Sequence, residues 1–326
     1  MGHYYLSAGR SSRIYSVGCA TGFQQRLASG VNGLLPGEGV KKLMNEDKPS
    51  DTALGVAYIL FALSAGGRNP DLVSEEYIET LSALMKATER MSGMTINFCR
   101  TRLGSWIVRR TIDRRFPDQS VQFGRRKLYF ERQARKAISA GARQVLVLGA
   151  GYDLLCIRLA YEYPDVAFIE IDHPATASIK QKGLEALGIP LNFFQFPVDL
   201  SQKPLYEVLE IQDCWDTSNC SFVSAEGLTQ YLTQKGVKQL FHAIDFLCGP
   251  SSRFGFTFVG WSDEEDRPDI GHLGDKLHAE FQRRGEPWLW GISAENLPEF
   301  LQDTPWKLLG DVIPAGIESF ACVVKQ

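Results

Sequence analysis

Between Gln144 and Pro174 the chain reads QVLVLGAGYDLLCIRLAYEYPDVAFIEIDHP, and several residues there have types and spacing that suit a ligand. Gly149 and Gly151 bracket Ala150 at the end of an apolar run, where the lack of a Cβ lets the backbone come close to a bound molecule. Asp172 closes the next apolar run, near the interval of about 20 residues at which an acid reaches ribose hydroxyls in such folds. The plainer role open to Asp172 is to cap the helix that starts after Pro174. Dinucleotides and S-adenosylmethionine both carry ribose, so the helix head after the turn must separate them. A pyrophosphate calls for a third glycine and a bare helix amino end. Here Leu154 holds that position, and Asp153 beside it would repel phosphate while accepting hydrogen bonds from an ammonium group or from exposed backbone N–H groups. S-adenosylmethionine, with a sulfonium and an amino-acid tail, fits these residues better than NAD.

Such a turn needs a strand before it and a helix after it, and the surrounding pattern supplies both. From Gln144 onward, β-rich runs (QVLVLG, VAFIEID, LNFFQFPVD, CSFVSAEG, RFGFTFVGW) alternate with helical patterns at Leu154 to Tyr163, Ala175 to Leu187 and Gln234 to Phe246. That alternation predicts a mostly parallel sheet with helices on both faces. After Trp261 come a charged loop, a helix near His272 to Arg284, a short helix after Ser293, and two runs, WKLLGDVI and SFACVVK, whose link PAGIE suits an antiparallel hairpin at the sheet edge. The first 120 residues offer helices instead, at Asp51 to Ala65 and at Ser74 to Met91, the second with Ser74 as N-cap and acids in its first turn.

Composition narrows the function classes. A chain of 326 residues that is 44% hydrophobic can bury a large core. Its net charge of −3 creates no field that would gather nucleic acid, and the arginines between Arg100 and Lys127 read as a solvated helix face. The seven cysteines lack any C-x-x-C pair, so neither a metal site nor a disulfide framework is signalled. The apolar run Thr52 to Gly66 is shorter than the ~20 residues of a membrane-spanning helix, and with no leader pattern the expected location is cytoplasmic. No G-x-S-x-G elbow supports hydrolysis.

Taken in order, RQVLVLGAGYDLLCIRL, EIDHP, PVDL and VSAEGLTQYL resemble the leucine carboxyl methyltransferase family in its broad sense, including bacterial O-methyltransferases of natural-product pathways. The resemblance runs from about Arg109 to the C-terminus. It implies a class I methyltransferase fold: a seven-stranded, mostly parallel sheet with an antiparallel last strand (residues 121–326), plus a helical N-terminal lid that shapes the substrate site (residues 1–120). It implies S-adenosylmethionine as cofactor and S-adenosylhomocysteine as product. An arginine some two dozen residues upstream of the turn would hold the cofactor carboxylate; Arg126 stands at that spacing, with its neighbour Arg125 as the alternative. Gly149, Ala150 and Gly151 would line the methionine moiety with Asp153, Asp172 would bind ribose, and Asp199 and Leu200 would flank adenine. Glu226 and Tyr231 would stand at the methyl-transfer cleft, Glu226 also facing the cofactor's amino group.

The chain departs from the family's GxDTRxxRL by reading Gly151-Tyr152-Asp153-Leu154-Leu155-Cys156-Ile157-Arg158-Leu159, and from Asp-Leu-Arg by reading Asp199-Leu200-Ser201. His173 and His242 are each open to a general-base or a structural role, and Trp288 and Trp290 to a substrate wall or to core packing. The expected partner is a small-molecule methyl acceptor, with transient contact to a biosynthetic enzyme or carrier protein and none to nucleic acid or membrane. The cofactor site is expected to be complete without the first ~100 residues, because open α/β sheets bind ligands beyond the carboxyl ends of their strands. Methylation of a protein C-terminus, NAD-dependent oxidoreduction and silent cofactor binding are the alternatives.

Overall fold

A computed structural model describes residues 49–67, 69, 71–114, 116–262, 264, 267–269, 279, 283 and 287–326. The chain before residue 49 and nearly all of the helix expected near His272 to Arg284 lie outside the described residues. Five helices come first: α1 (Asp51–Leu63), α2 (Glu75–Ala87), α3 (Gly93–Cys99), α4 (Arg102–Asp113) and α5 (Gln119–Ser139). Side-chain caps open the first four, from Ser50, Ser74, Ser92 and Thr101. The cap of α2 is the expected one, with Ser74 accepting from Tyr77 N at 3.2 Å.

The alternating portion follows as β1 (Gln144–Leu148), α6 (Leu155–Glu162), β2 (Ala167–Asp172), α7 (Pro174–Leu187), β3 (Phe193–Pro197), α8 (Leu205–Leu209), β4 (Ser221–Ala225), α9 (Gln234–Leu247) and β5 (Arg253–Val259). A small hairpin of β6 (Trp261–Ser262) and β7 (Arg267–Pro268), then α10 (Leu297–Gln302), β8 (Trp306–Leu308), β9 (Ile313–Ala315) and β10 (Glu318–Lys325), complete it. The main sheet has the order β3-β2-β1-β4-β5-β10-β8, and β9 adds an eighth strand alongside β10. β1 to β5 are parallel to one another and β10 runs antiparallel to β5, as expected of the class I methyltransferase fold. PAGIE does turn a hairpin, pairing Ala315 with Glu318, but β10 lies inside the sheet and β8 is its edge.

Alternation within the strands divides the core. Val145, Val147, Phe168 and Phe222 face α5, α6 and the N-terminal helices, while Leu146, Leu148, Ile169, Val223 and Phe254 face α8, α9 and α10. Helices α1 and α2 therefore share one core with the sheet. The chain divides into compact units Met1–Leu35 and Pro36–Gln326, and every described residue belongs to the second. No helix among the described residues is long and apolar enough to cross a membrane.

The seam between α2 and α7 is close. A Cβ on Gly183 would stand 2.6 Å from Leu84 Cδ1 and 3.1 Å from Leu84 O, so any side chain there must push the helices apart. Gly183→Ala should lower stability by about 1 to 3 kcal/mol, read as a reduced urea midpoint with an unchanged slope. A midpoint equal to wild type would mean that the seam yields freely.

Candidate functional site

β1 and β4 are neighbours in the sheet, but their crossovers leave in opposite directions, β1 toward β2 and β4 toward β5. The carboxyl ends of these two strands therefore mark the topological switch point, the usual place for a ligand in such sheets. The glycine turn emerges there. Gly149 and Gly151 take positive φ, +66° and +50°, which a Cβ would penalise. Gly149 N donates to Ile171 O at 2.9 Å and Asp153 N to Ala150 O at 2.8 Å.

Asp172 holds the turn from β2. Its Oδ2 accepts from Gly151 N and its Oδ1 from His173 N, both at 2.7 Å. The cap of α7 is His173, whose Nδ1 accepts from Ala175 N, so Asp172 is not the helix cap. Each carboxylate oxygen keeps a lone pair for a ribose hydroxyl. Burial raises the pKa of Asp172 against the opposing pull of these two N–H groups.

Asp153 is the hub. Its side chain is only 6% exposed; its Oδ1 accepts from Leu155 N at 2.6 Å, closing the head of α6, and its Oδ2 bonds Lys127. Burial pushes its pKa up, but Lys127 beside it brings the result below the usual value. Lys127 Nζ also lies 2.9 Å from Glu226 Oε2. Arg126, one residue earlier on α5, donates from Nη1 to Glu318 Oε2 on β10 at 2.7 Å, and its Nε stands 3.4 Å from Glu226 Oε2 without a hydrogen bond. Gln230 Nε2 donates to the other oxygen of Glu318. Glu226 is held at about 7, first by burial and then by Asp153, against Lys127 and Arg126. Carboxylates outnumber cations in this buried cluster, which suits a ligand carrying positive charge.

The structure brings Arg126, Gly149, Ala150, Gly151, Asp153, Asp172 and Glu226 together at this switch point. Arg125 points to solvent on α5, so of the two arginines left open by spacing, Arg126 is the one at the switch point. Asp199 and Leu200 follow β3 and are half-buried; Asp199 Oδ2 lies 4.0 Å from His173 Nε2, beside the end of β2. Tyr231 ends a 3-10 turn, Thr229–Tyr231, a few residues after Glu226. His242 is exposed on α9, and Trp290 packs in the core against Phe300. The retained Arg158 pairs with Glu131 of α5 at 2.7 Å.

Lys127, Glu318, Lys180 and Glu170 were not among the expected residues, yet all carry buried charge near the turn. Helix phase gives the missing signal. Arg126 falls one turn before Phe130 and two before Ala134, all buried, and Lys180 lies between Ala177 and Leu184 on the buried stripe of α7. A charge on an apolar stripe demands a partner. Contrary to the expectation that this site stands apart from the first ~100 residues, the glycine turn is packed against α1. A Cβ on Gly151 would stand 3.0 Å from Ala53 Cβ, and Ser50 N donates to Thr176 Oγ1 at 3.1 Å, so α1 begins directly on the turn.

The sequence model of the family described as Leucine carboxyl methyltransferase matches residues 53–245. A Mycobacterium tuberculosis protein named as an S-adenosyl-L-methionine-dependent methyltransferase is 31% identical over 166 residues, 48% of this chain and 54% of that protein. A Mycobacterium bovis protein with the same kind of name is 29% identical over 166 residues, 48% of this chain and 50% of that one. The chain thus spans about half the length of these curated relatives. Among solved structures, one from Thermobifida fusca named as a methyltransferase superposes with a TM-score of 0.53 at 16% identity, covering 80% of this chain and 100% of that one. A DUF574 family protein from Streptomyces avermitilis gives 0.53 at 13% identity, covering 76% and 97%. At these identities the likeness is one of fold.

The pairing predicts contrasting mutants. Lys127→Ala would leave Asp153 and Glu226 buried without their shared cation and should cost about 3 to 5 kcal/mol in chemical denaturation. Arg125→Ala, at the surface, should stay within about 0.5 kcal/mol of wild type. Equal effects from the two would refute the assignment of the site to the Arg126–Lys127 side of α5.

Proposed function

The chain belongs to the leucine carboxyl methyltransferase family, and from that premise we propose that it transfers a methyl group from S-adenosylmethionine to an oxygen, hydroxyl or carboxylate, of a small molecule of secondary metabolism. The observation that carries this reading is the closed head of α6. Asp153 occupies Leu155 N, so a pyrophosphate would meet a carboxylate where a dinucleotide site offers bare N–H groups. An ammonium or sulfonium group meets negative charge instead.

The residues present fit the cofactor. Gly149 and Gly151 hold the turn at positive φ, Asp172 keeps lone pairs for ribose, and Arg126 keeps an unsatisfied Nε for a carboxylate. Asp199 and Leu200 follow β3, where the resemblance places the base. When bound, the cofactor supplies a methyl carbon made electrophilic by its sulfonium. The protein's own contribution is to fix both reactants and keep water away. A carboxylate acceptor is already a nucleophile near neutral pH, whereas a hydroxyl must lose its proton, and Glu226, titrating at about 7, is a group able to take it. Tyr231 sits on the same loop as Glu226 and serves as part of the cleft wall.

Calorimetry should show S-adenosylhomocysteine binding in the micromolar range and no heat with NAD, and Asp172→Ala should weaken that binding by about 1 to 3 kcal/mol. Tight NAD binding without S-adenosylhomocysteine binding would overturn the cofactor. Methyl-labelled cofactor incubated with a small-molecule extract should place label on oxygen; label found on protein C-termini would transfer the activity to a protein acceptor.

The pKa of Glu226 gives a pH dependence with a definite sign. Below about 7 the carboxyl keeps its proton, and above it the carboxylate attracts a cation. Binding of S-adenosylmethionine should therefore release a proton near neutrality and tighten as pH rises from about 6 to about 8, and Glu226→Gln should flatten the trend. An affinity independent of pH in the wild type would remove Glu226 from the cationic end of the ligand.

A further inference from the structure

Two acids of β2 lie two residues apart, so their side chains leave the same face of the strand, and they reach the two ends of the cofactor turn by different routes. Asp172 takes the first end directly, through Gly151 N at 2.7 Å. Glu170 takes the second through an intermediary. Its Oε2 accepts from Lys180 Nζ at 2.6 Å, and the same ammonium donates to the backbone carbonyl of Asp153 at 2.6 Å.

Glu170 and Lys180 are both fully buried, and Glu170 Oε1 has no hydrogen-bond partner among the described residues. A buried ion pair of this kind is a poor source of stability, because desolvation of both charges offsets their attraction, and an apolar pair of similar volume often serves the fold as well or better. What an apolar pair cannot do is hold a carbonyl oxygen. That carbonyl belongs to Asp153, whose side chain caps α6 and meets Lys127, which in turn meets Glu226.

Resting on the cofactor reading above, we propose that Lys180, anchored by Glu170, is a positioning residue for the cofactor turn: its grip on the Asp153 carbonyl sets where the Gly151–Asp153 backbone and the Asp153 carboxylate stand, so cofactor affinity depends on a pair that does not touch the cofactor.

The test uses the full chain and the double variant Glu170→Leu/Lys180→Met, which removes both charges together and leaves an apolar pair that the fold tolerates. Denaturation should show only the modest loss expected from one unpaired carbonyl. Affinity for S-adenosylhomocysteine by calorimetry should fall on the order of tenfold, the loss of about one hydrogen bond's worth of organisation. Without any ligand, amide exchange of Gly151 to Leu155 should quicken while that of β1 and β4 stays unchanged. A stable double variant with wild-type affinity and wild-type exchange in the turn overturns the proposal. If the variant is strongly destabilised and exchange quickens throughout the sheet, the pair holds up the fold as a whole, and the positioning role is likewise overturned. Should the wild-type protein fail to bind S-adenosylhomocysteine, the cofactor reading falls, and the ligand-free exchange in the turn still decides the role of Lys180.

Discussion

A carboxylate taken out of water must be neutralised or hydrogen-bonded on every side, and at Asp153 that requirement organises the site. The side chain meets Lys127 from α5 and the first N–H of α6, while its own carbonyl meets Lys180 from α7. Two lysines from two helices therefore converge on one residue of the glycine turn. Neither helix can shift along the sheet without unpairing a buried charge, a cost of several kcal/mol. The turn needs such bracing because its two glycines, both at positive φ, give it little rigidity of their own.

Charge then passes outward from this hub. Lys127 links Asp153 to Glu226 at the end of β4, and Arg126 links Glu226 to Glu318 at the start of β10. The C-terminal strand is thereby tied to the site, although it enters the sheet antiparallel and last. Burial raises Glu226 and Glu170 to about 7, with Asp153 adding to it in both cases, against the opposing pull of Lys127 and Arg126 on the first and of Lys180 on the second. A cation placed beside these carboxyls favours their charged form, which is why the cluster suits a sulfonium-bearing cofactor.

The sequence made the scaffold legible because strands buried on both faces and helices buried on one differ in period. QVLVL and AFIEID form β1 and β2, Ser74 caps α2, and Leu155–Glu162 and Gln234–Leu247 fall within a residue or so of their expected bounds. The glycines, Asp153 and Asp172 were legible for a similar reason, since each departs from the local pattern at a point where the chain must turn. Spacing pointed to Arg126 but left Arg125 as an alternative. The phase of α5 distinguishes them, putting Arg126 on the buried stripe with Phe130 and Ala134. Glu170 went unread because it sits within the apolar run VAFIEID and Lys180 because it looks like one more polar residue of SIKQKGLE, and their partners are set by tertiary structure.

The contact between Ala53 and Gly151 was beyond any local signal, being roughly 100 residues distant in the chain and made by a methyl group. It changes how the N-terminal helices bear on function. A lid hinged away from the cofactor turn could vary freely, but a helix whose first turn rests on Gly151, and whose N-cap residue Ser50 bonds to α7, is part of the turn's surroundings. Substitutions along α1 that enlarge residue 53 would press on backbone that has no Cβ to move aside. The small side chain at 53 and the glycine at 151 are one steric unit, so the first turn of α1 and the glycine turn cannot be altered independently.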